Sequence, residues 1–210
     1  MGELRESKKR ETRQRISNVA TKLFVARGFD AVTLDEIAVA AKVSKMTVFN
    51  YFARKEDLML DREDDLLLLP FRAALRERPK GQPPIEALRS LVDGMREQKH
   101  PFARIHPRSV DWWRVVAASP SLKARLNELG EEAAAGLELE LELAGPKPDG
   151  LARLMAGMIV LTMRTAREHS ISVLARGGSA KKANAAFLAL IERGFAAVHH
   201  MGAGSSAARC

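Results

Sequence analysis

The side chains best suited to chemistry in this chain stand in one short run after Ser44: Lys45, Met46, Thr47, Phe49, Asn50 and Tyr51. Short polar side chains at a helix N-terminus can reach base edges in a DNA major groove, and the terminus itself favours phosphate oxygens. Tyr51 and Lys55 then follow at a spacing suited to flanking phosphates. The same residues would also serve as an ordinary solvated helix face. The elements that position them decide between these readings.

Those elements are legible from their termini. Ser44 has the type and place of an N-cap, with Val43 and Val48 as a hydrophobic staple. Thr33 opens the preceding helix: Glu36 three residues on completes a capping box, and Val32 and Ile37 form another staple. Leu34, Ile37, Ala38 and Ala41 give that helix one apolar face. Between the two helices only Ala41, Lys42 and Val43 remain, the short connection of a helix-turn-helix. Upstream, Lys8 to Arg27 carries Ile16, Val19, Ala20, Leu23 and Phe24 at helical spacing, and Gly28 is placed as a left-handed C-cap. Val48 and Phe52 are the expected buried face of the third helix.

This frame, RQRISNVATKLFVARGFDAVTLDEIAVAAKVSKMTVFNYFARKEDL from Arg13 to Leu58, resembles the tetracycline-repressor (TetR) family of bacterial regulators. The resemblance implies a homodimer with two DNA-binding heads and a larger helical domain that takes a small organic effector. It further implies that Thr33 caps its helix and touches a phosphate. Lys45, Met46, Thr47 and Asn50 would meet the groove, while Tyr51 and Lys55 would hold the backbone. Three positions depart from the family pattern. Lys42 stands where glycine is usual, so a non-glycine residue must turn left-handed at about 1 kcal/mol. Phe49 replaces a tyrosine, which exchanges a phosphate hydroxyl for packing. Met46 is bulkier than usual and is suited to a thymine methyl.

The chain has 210 residues and a formal charge of +8, which is compatible with a polyanionic partner. In the first fifteen residues Arg5, Lys8, Lys9, Arg10, Arg13 and Arg15 oppose only Glu3, Glu6 and Glu11. That arm could lie along phosphates, reach a minor groove, or fray in solvent. A single cysteine, Cys210, gives no disulfide framework and suits a reducing compartment. With neither a membrane-length apolar run nor a secretory leader, the expectation is a cytoplasmic protein without a membrane partner.

Beyond Leu58 the breaks at 78–84, 99–101, 119–120, 144–150 and 176–180 separate about six further helices, making about nine in an all-α chain. LELELELA from Leu137 alternates like a strand. It nevertheless continues the helical stripe of Leu122, Leu126, Leu129, Ala133 and Leu137, and reads as helix. The fourth helix is expected to run from Lys55 through the acidic stretch Asp61 to Asp65, a solvated face, towards Pro70, which would kink or end it. The resulting division is a DNA-binding head over 1–54, an effector-binding and dimerisation domain over 55–201, and a disordered tail over 202–210.

Met95, Phe102, Ile105, Trp112, Trp113, Val116, Met155 and Met158 are candidate walls of an adaptable apolar pocket, or alternatively core. Ala156, Ile159 and Met163, with Phe187, Leu188, Ile191 and Phe195, form stripes on the last two helices. The resemblance assigns them to a dimer seam; the core of one subunit is the competing assignment. The five histidines show no metal-ligand spacing, and no nucleotide loop or nucleophile elbow is present. No cofactor, metal or enzymatic activity is expected. The function read from the sequence is a DNA-binding regulator, and the resemblance makes it a repressor released by a small molecule. The rivals are an activator, an effector-free regulator, and a carrier or enzyme with a vestigial head.

Overall fold

The computed structural model describes residues 2–61, 66–143 and 150–207, with side chains from residue 5 to residue 202. Among these residues it contains ten α-helices, one 3-10 turn and no strand. The chain is all-α, and it divides into two compact units: residues 1–63 with 111–126, and residues 64–110 with 127–210.

The first unit contains α1 (Gly2–Arg27), α2 (Leu34–Ala40), α3 (Lys45–Tyr51) and α4 (Lys55–Met59). Ile16, Ala20 and Phe24 repeat every four residues on α1 and are fully buried. No described residue before Ile16 is buried. Gly28, at φ 87°, ends α1 and donates its amide to Phe24 O at 2.8 Å. Its left-handed conformation turns the chain so that the Phe29 ring meets Phe24 at 4.9 Å. Ser17 Oγ donates to Leu58 O at 3.3 Å, which joins α1 to α4.

Part of α7 (Ser109–Ala118) and the start of α8 (Pro120–Glu142) complete this unit. Trp112 Nε1 donates to Met59 O at 3.1 Å, and Arg125 Nε pairs with Asp57 Oδ1 at 3.0 Å. Sequence distance hides both contacts.

The second unit contains α5 (Leu69–Glu77), α6 (Pro84–Glu97), the 3-10 turn Pro101–Ala103, the rest of α8, α9 (Leu151–Ala175) and α10 (Ala180–Ala207). The LELELELA segment is helical: Leu137 and Leu141, one turn apart, are buried, while Leu139 and Leu143 are exposed. Glu140 is also buried, in an ion pair with Arg76 of α5. That bond holds the Glu140 carboxyl below its usual range. Asn184 of α10 pins the loop after the 3-10 turn by accepting from Ile105 N (2.8 Å) and donating to Ile105 O (2.9 Å). Arg167 of α9 donates to Phe102 O and lies over the Phe102 and Phe187 rings.

Three expectations are corrected at this level. The fourth helix does not run on from Lys55 towards Pro70; α4 ends at Met59, with Leu60 as its C-cap. Pro70 instead lies in the first turn of α5, where a missing amide hydrogen removes no helical bond. Of the acidic stretch, Asp61 is not solvated: its carboxylate is paired with Arg13, and residues 62–65 lie outside the described residues. At the other end, α10 takes in residues 202–207, while 208–210, with Cys210, lie outside the described residues.

Candidate nucleic-acid interface

The turn between α2 and α3 is closed by its own backbone. Val43 N donates to Ala38 O (3.0 Å) and Lys42 N to Val39 O (3.1 Å), the paired bonds of a Schellman motif with Lys42 as the left-handed residue. Lys42 has φ 54°, the strained conformation its sequence position demanded. On the N-terminal side Thr33 forms the full capping box with Glu36. Thr33 N and Oγ1 both donate to Glu36 Oε2, at 2.8 and 2.9 Å, and Glu36 N returns a bond to Thr33 Oγ1 at 3.2 Å. Arg27 adds an ion pair at 2.7 Å. The Thr33 amide, Arg27 and the Thr33 hydroxyl together pull the Glu36 carboxyl down to about 2.

Ser44 caps α3, its Oγ accepting from Thr47 N at 3.0 Å and lying 2.8 Å from Thr47 Oγ1. Val48 and Phe52 turn inward and are buried with Ile37 and Ala41 of the preceding helix and turn. With that face fixed, Lys45, Met46, Phe49 and Asn50 point to solvent. Met46 is 67 % and Phe49 47 % exposed, large apolar side chains left uncovered at i, i+3 spacing. Asn50, one turn after Met46, places an amide beside them. A donor–acceptor amide flanked by apolar groups can bond a base edge and contact a thymine methyl. Lys45 Nζ rests on Asp35 Oδ2 at 2.9 Å; both side chains are exposed, and such a pair contributes ~0–1 kcal/mol, so the ammonium is readily transferred to a phosphate.

Other candidates have partners inside the head. Lys55 does not project towards a flanking phosphate. Its ammonium donates to Phe29 O at 2.7 Å and lies 4.4 Å from the Phe29 ring centroid, so it ties α4 to the loop after α1. The Thr33 hydroxyl is committed to the capping box and the Thr47 hydroxyl to the Ser44 cap. Tyr51 is half-buried, and its carbonyl accepts from Arg13 Nη1 at 2.7 Å.

Arg13, in the sequence only one cation of a basic arm, organises this region. Its guanidinium bonds Tyr51 O, pairs with Asp61 Oδ1 at 2.7 Å and stacks 4.5 Å from the Phe52 ring centroid. Its position three residues before the first buried residue of α1 was the available signal. Burial pushes the Asp61 carboxyl up, against the opposing pull of Arg13.

The pocket candidates do not belong to one unit. Trp112, Trp113 and Val116 lie in the first, whereas Met95, Phe102, Ile105, Met155 and Met158 lie in the second. Trp112 and Trp113 stack edge to face at 5.0 Å. Phe102 packs on Phe71 at 5.4 Å. A surface cleft of about 200 Å³ between α6 and α10 is lined by Val92, Leu188, Ile191 and Phe195 and edged by the Arg89–Glu192 pair. None of the pocket candidates lines it.

The stripe assigned to a dimer seam is corrected too. Ala156, Ile159, Met163, Phe187, Ile191 and Phe195 are buried within the single chain, and Leu188 is half-buried. The six buried side chains are taken up by packing within one subunit, while Leu188 keeps an open side towards the cleft. The uncovered apolar residues of α9 are Leu154 and Leu161, 54 % and 62 % exposed, with exposed Gly157 between them.

No described helix is long and apolar enough to cross a membrane, and among the described residues no cluster of histidine, cysteine and carboxylate side chains could hold a metal ion. Residues 16–61 match a family model described as bacterial regulatory proteins, tetR family. Over 85 residues the chain is 38 % identical to the HTH-type transcriptional regulator TcmR of Streptomyces glaucescens, a match covering 40 % of this chain and 37 % of that protein. The chain thus spans little more than a third of the length of this curated relative. Among solved structures, a SmeT–triclosan complex superimposes with a TM-score of 0.56 at 18 % identity, over 89 % of this chain and 91 % of the other. NalD, described as the secondary repressor of the MexAB-OprM multidrug efflux pump in Pseudomonas aeruginosa, superimposes with a TM-score of 0.53 at 17 % identity, over 88 % and 97 % of the two chains. At such identity these two structures establish a shared fold.

Proposed function

We propose that this chain, whose residues 16–61 match the model of the tetR family of bacterial regulatory proteins, is a homodimeric repressor that binds a palindromic operator and is released by a small organic ligand. The observation that carries the DNA-binding part is the outward face of α3. Two caps and a Schellman turn hold that helix, and Lys45, Met46, Phe49 and Asn50 stand exposed on it. Base reading falls to Asn50 and Met46, and phosphate contact to Lys45 and the amides that open α3. Lys55 supports the head from within. Action on DNA makes the cytoplasm its place of work.

Homodimerisation is supported by Leu154 and Leu161, which leave an apolar strip on α9 without a cover in one subunit. Twofold symmetry would then present two heads to two half-sites about one helical turn apart, ~34–36 Å, or a multiple of it. For the effector, the support is that SmeT, a protein of this fold, is known in complex with triclosan. In this chain the second unit has Met95, Met155 and Met158, whose flexible side chains can adapt to an apolar guest.

The test is selection of bound duplexes from a random pool by the full chain, followed by anisotropy titration. A symmetric consensus bound by a dimer supports the reading. Absence of any sequence preference would refute it and favour a helical carrier with a vestigial head.

A further inference from the structure

We propose that the basic first half of α1, residues 5–15, is a second DNA contact of the head, lying on the phosphate backbone beside the groove that α3 enters. The inference rests on the DNA-binding reading of α3 and adds a surface which that reading does not use.

The first ground is the state of the cations. In the head, Arg27 is paired with Glu36, Lys45 with Asp35 and Arg13 with Asp61, and Lys55 is held by Phe29 O, whereas Lys22 and Lys42 are isolated exposed cations. Arg5, Lys8, Lys9, Arg10 and Arg15 are exposed and form no ion pair or hydrogen bond with any described residue. Glu6 and Glu11 stand one turn before Arg10 and Arg15, a spacing that permits pairing, yet no pair closes there. Positive charge in excess is thus densest on a helix segment whose residues, Thr12 and Arg13 apart, are exposed.

The second ground is its place. Arg13 reaches the carbonyl of Tyr51, the last residue of α3. Lys9, one turn earlier on α1, is displaced along the axis from that junction by only ~6 Å. The basic segment therefore begins at the C-terminal end of the helix offered to the groove, where the flanking backbone of a bound duplex would pass.

The third ground is what the segment lacks. Between residues 2 and 15 the only large apolar residue is Leu4, so the segment has no apolar face to insert into a bilayer or a protein groove. Cations spread over roughly 16 Å of helix suit a polyanion with one charge per ~1.7 Å of axis.

The test uses the full chain and a duplex enriched by it from a random pool, with affinity measured from about 100 to about 400 mM KCl. Lys8→Gln, Lys9→Gln and Arg10→Gln are combined in one variant. These side chains are exposed and glutamine favours helix, so the head should fold as before, as circular dichroism and tryptophan fluorescence would verify. The slope of log K against log salt should flatten by about 0.9 for each phosphate that is no longer neutralised, with the order of preferred sequences unchanged. Lys181→Gln with Lys182→Gln, exposed on α10, serves as the charge control and should leave the slope alone. An unchanged slope in the triple variant overturns the inference, as does equal flattening per charge in the control. Retention of the wild type, but not the triple variant, on phosphatidylserine vesicles with no change in DNA slope would reassign the surface to a membrane. Should the wild type hold no duplex at any salt, the reading of α3 fails first and this inference falls with it.

Discussion

Arg13→Ala is the substitution whose effect can best be worked from the structure. The guanidinium bonds the Asp61 carboxylate and Tyr51 O, each at 2.7 Å, and covers the Phe52 ring at 4.5 Å. Hydrogen bonds involving a charged group contribute about 1.5–3 kcal/mol each, and a cation–π contact about 0.5–2 kcal/mol. Arg13 is 36 % exposed, so solvent screening places the net loss near the bottom of that sum, at about 2–4 kcal/mol. Removing Arg13 also leaves the Asp61 carboxylate, 8 % exposed, without this cation. Burial already raises the Asp61 pKa, and loss of Arg13 would raise it further. A folded-state pKa above the unfolded value gives stability at low pH that is lost as pH rises through the folded pKa. The variant should therefore lose stability more steeply than wild type as pH rises from about 4. Both tryptophans of the chain, Trp112 and Trp113, lie in the same unit as Arg13, so urea unfolding followed by their fluorescence reports on it. Asp61→Asn placed on Arg13→Ala should recover about 1–2 kcal/mol by removing the stranded charge. A loss below about 0.5 kcal/mol, or no recovery in the double variant, would refute the role assigned to Arg13.

Three further outcomes follow from single features. Lys42→Gly should stabilise the head by about 0.5–1 kcal/mol, because relief of the left-handed strain at φ 54° exceeds the entropy glycine adds to the unfolded chain; urea titration checks it. Glu36, its carboxyl lowered to about 2, contributes stability that is present above about 4.5 and lost as pH falls towards 2. In Glu36→Gln, acid titration by tryptophan fluorescence should show that part of the dependence removed. A Cβ on Gly194 would overlap the Thr162 side chain, so Gly194→Ala should destabilise the α9–α10 pair by about 1–2 kcal/mol despite its better helix propensity. Thr162→Ala in the same chain should restore most of that stability, measured by far-ultraviolet circular dichroism.

The head was readable because its signals are local. Thr33 with Glu36, Ser44 with Thr47, and Gly28 after Phe24 act within one turn of helix, and their bonds are those their residue types imply. Lys55 was not readable, because the direction of its ammonium depends on Phe29, which reaches it only after α1 and α4 have packed. Periodicity on α9 and α10 identified Ile159, Phe187 and Phe195 as an apolar stripe, but a stripe does not say whether its cover is the same chain or another copy. Glu140 shows the same limit from the polar side. Its burial depends on Arg76 arriving from α5, a contact of which the alternating Leu–Glu run carries no local sign. The joining of residues 111–126 to the head, through Trp112 to Met59 and Arg125 to Asp57, likewise has no local sign.

Base reading by the outward face of α3 is probed without intermediaries by comparing the duplex consensus selected by the wild type with that selected by Asn50→Ala. Both proteins should yield a symmetric consensus, with the variant's preference relaxed at one base pair in each half-site and a discrimination loss of about 1–3 kcal/mol there. An identical consensus for the two proteins, with equal affinity, would show that α3 does not read bases through Asn50.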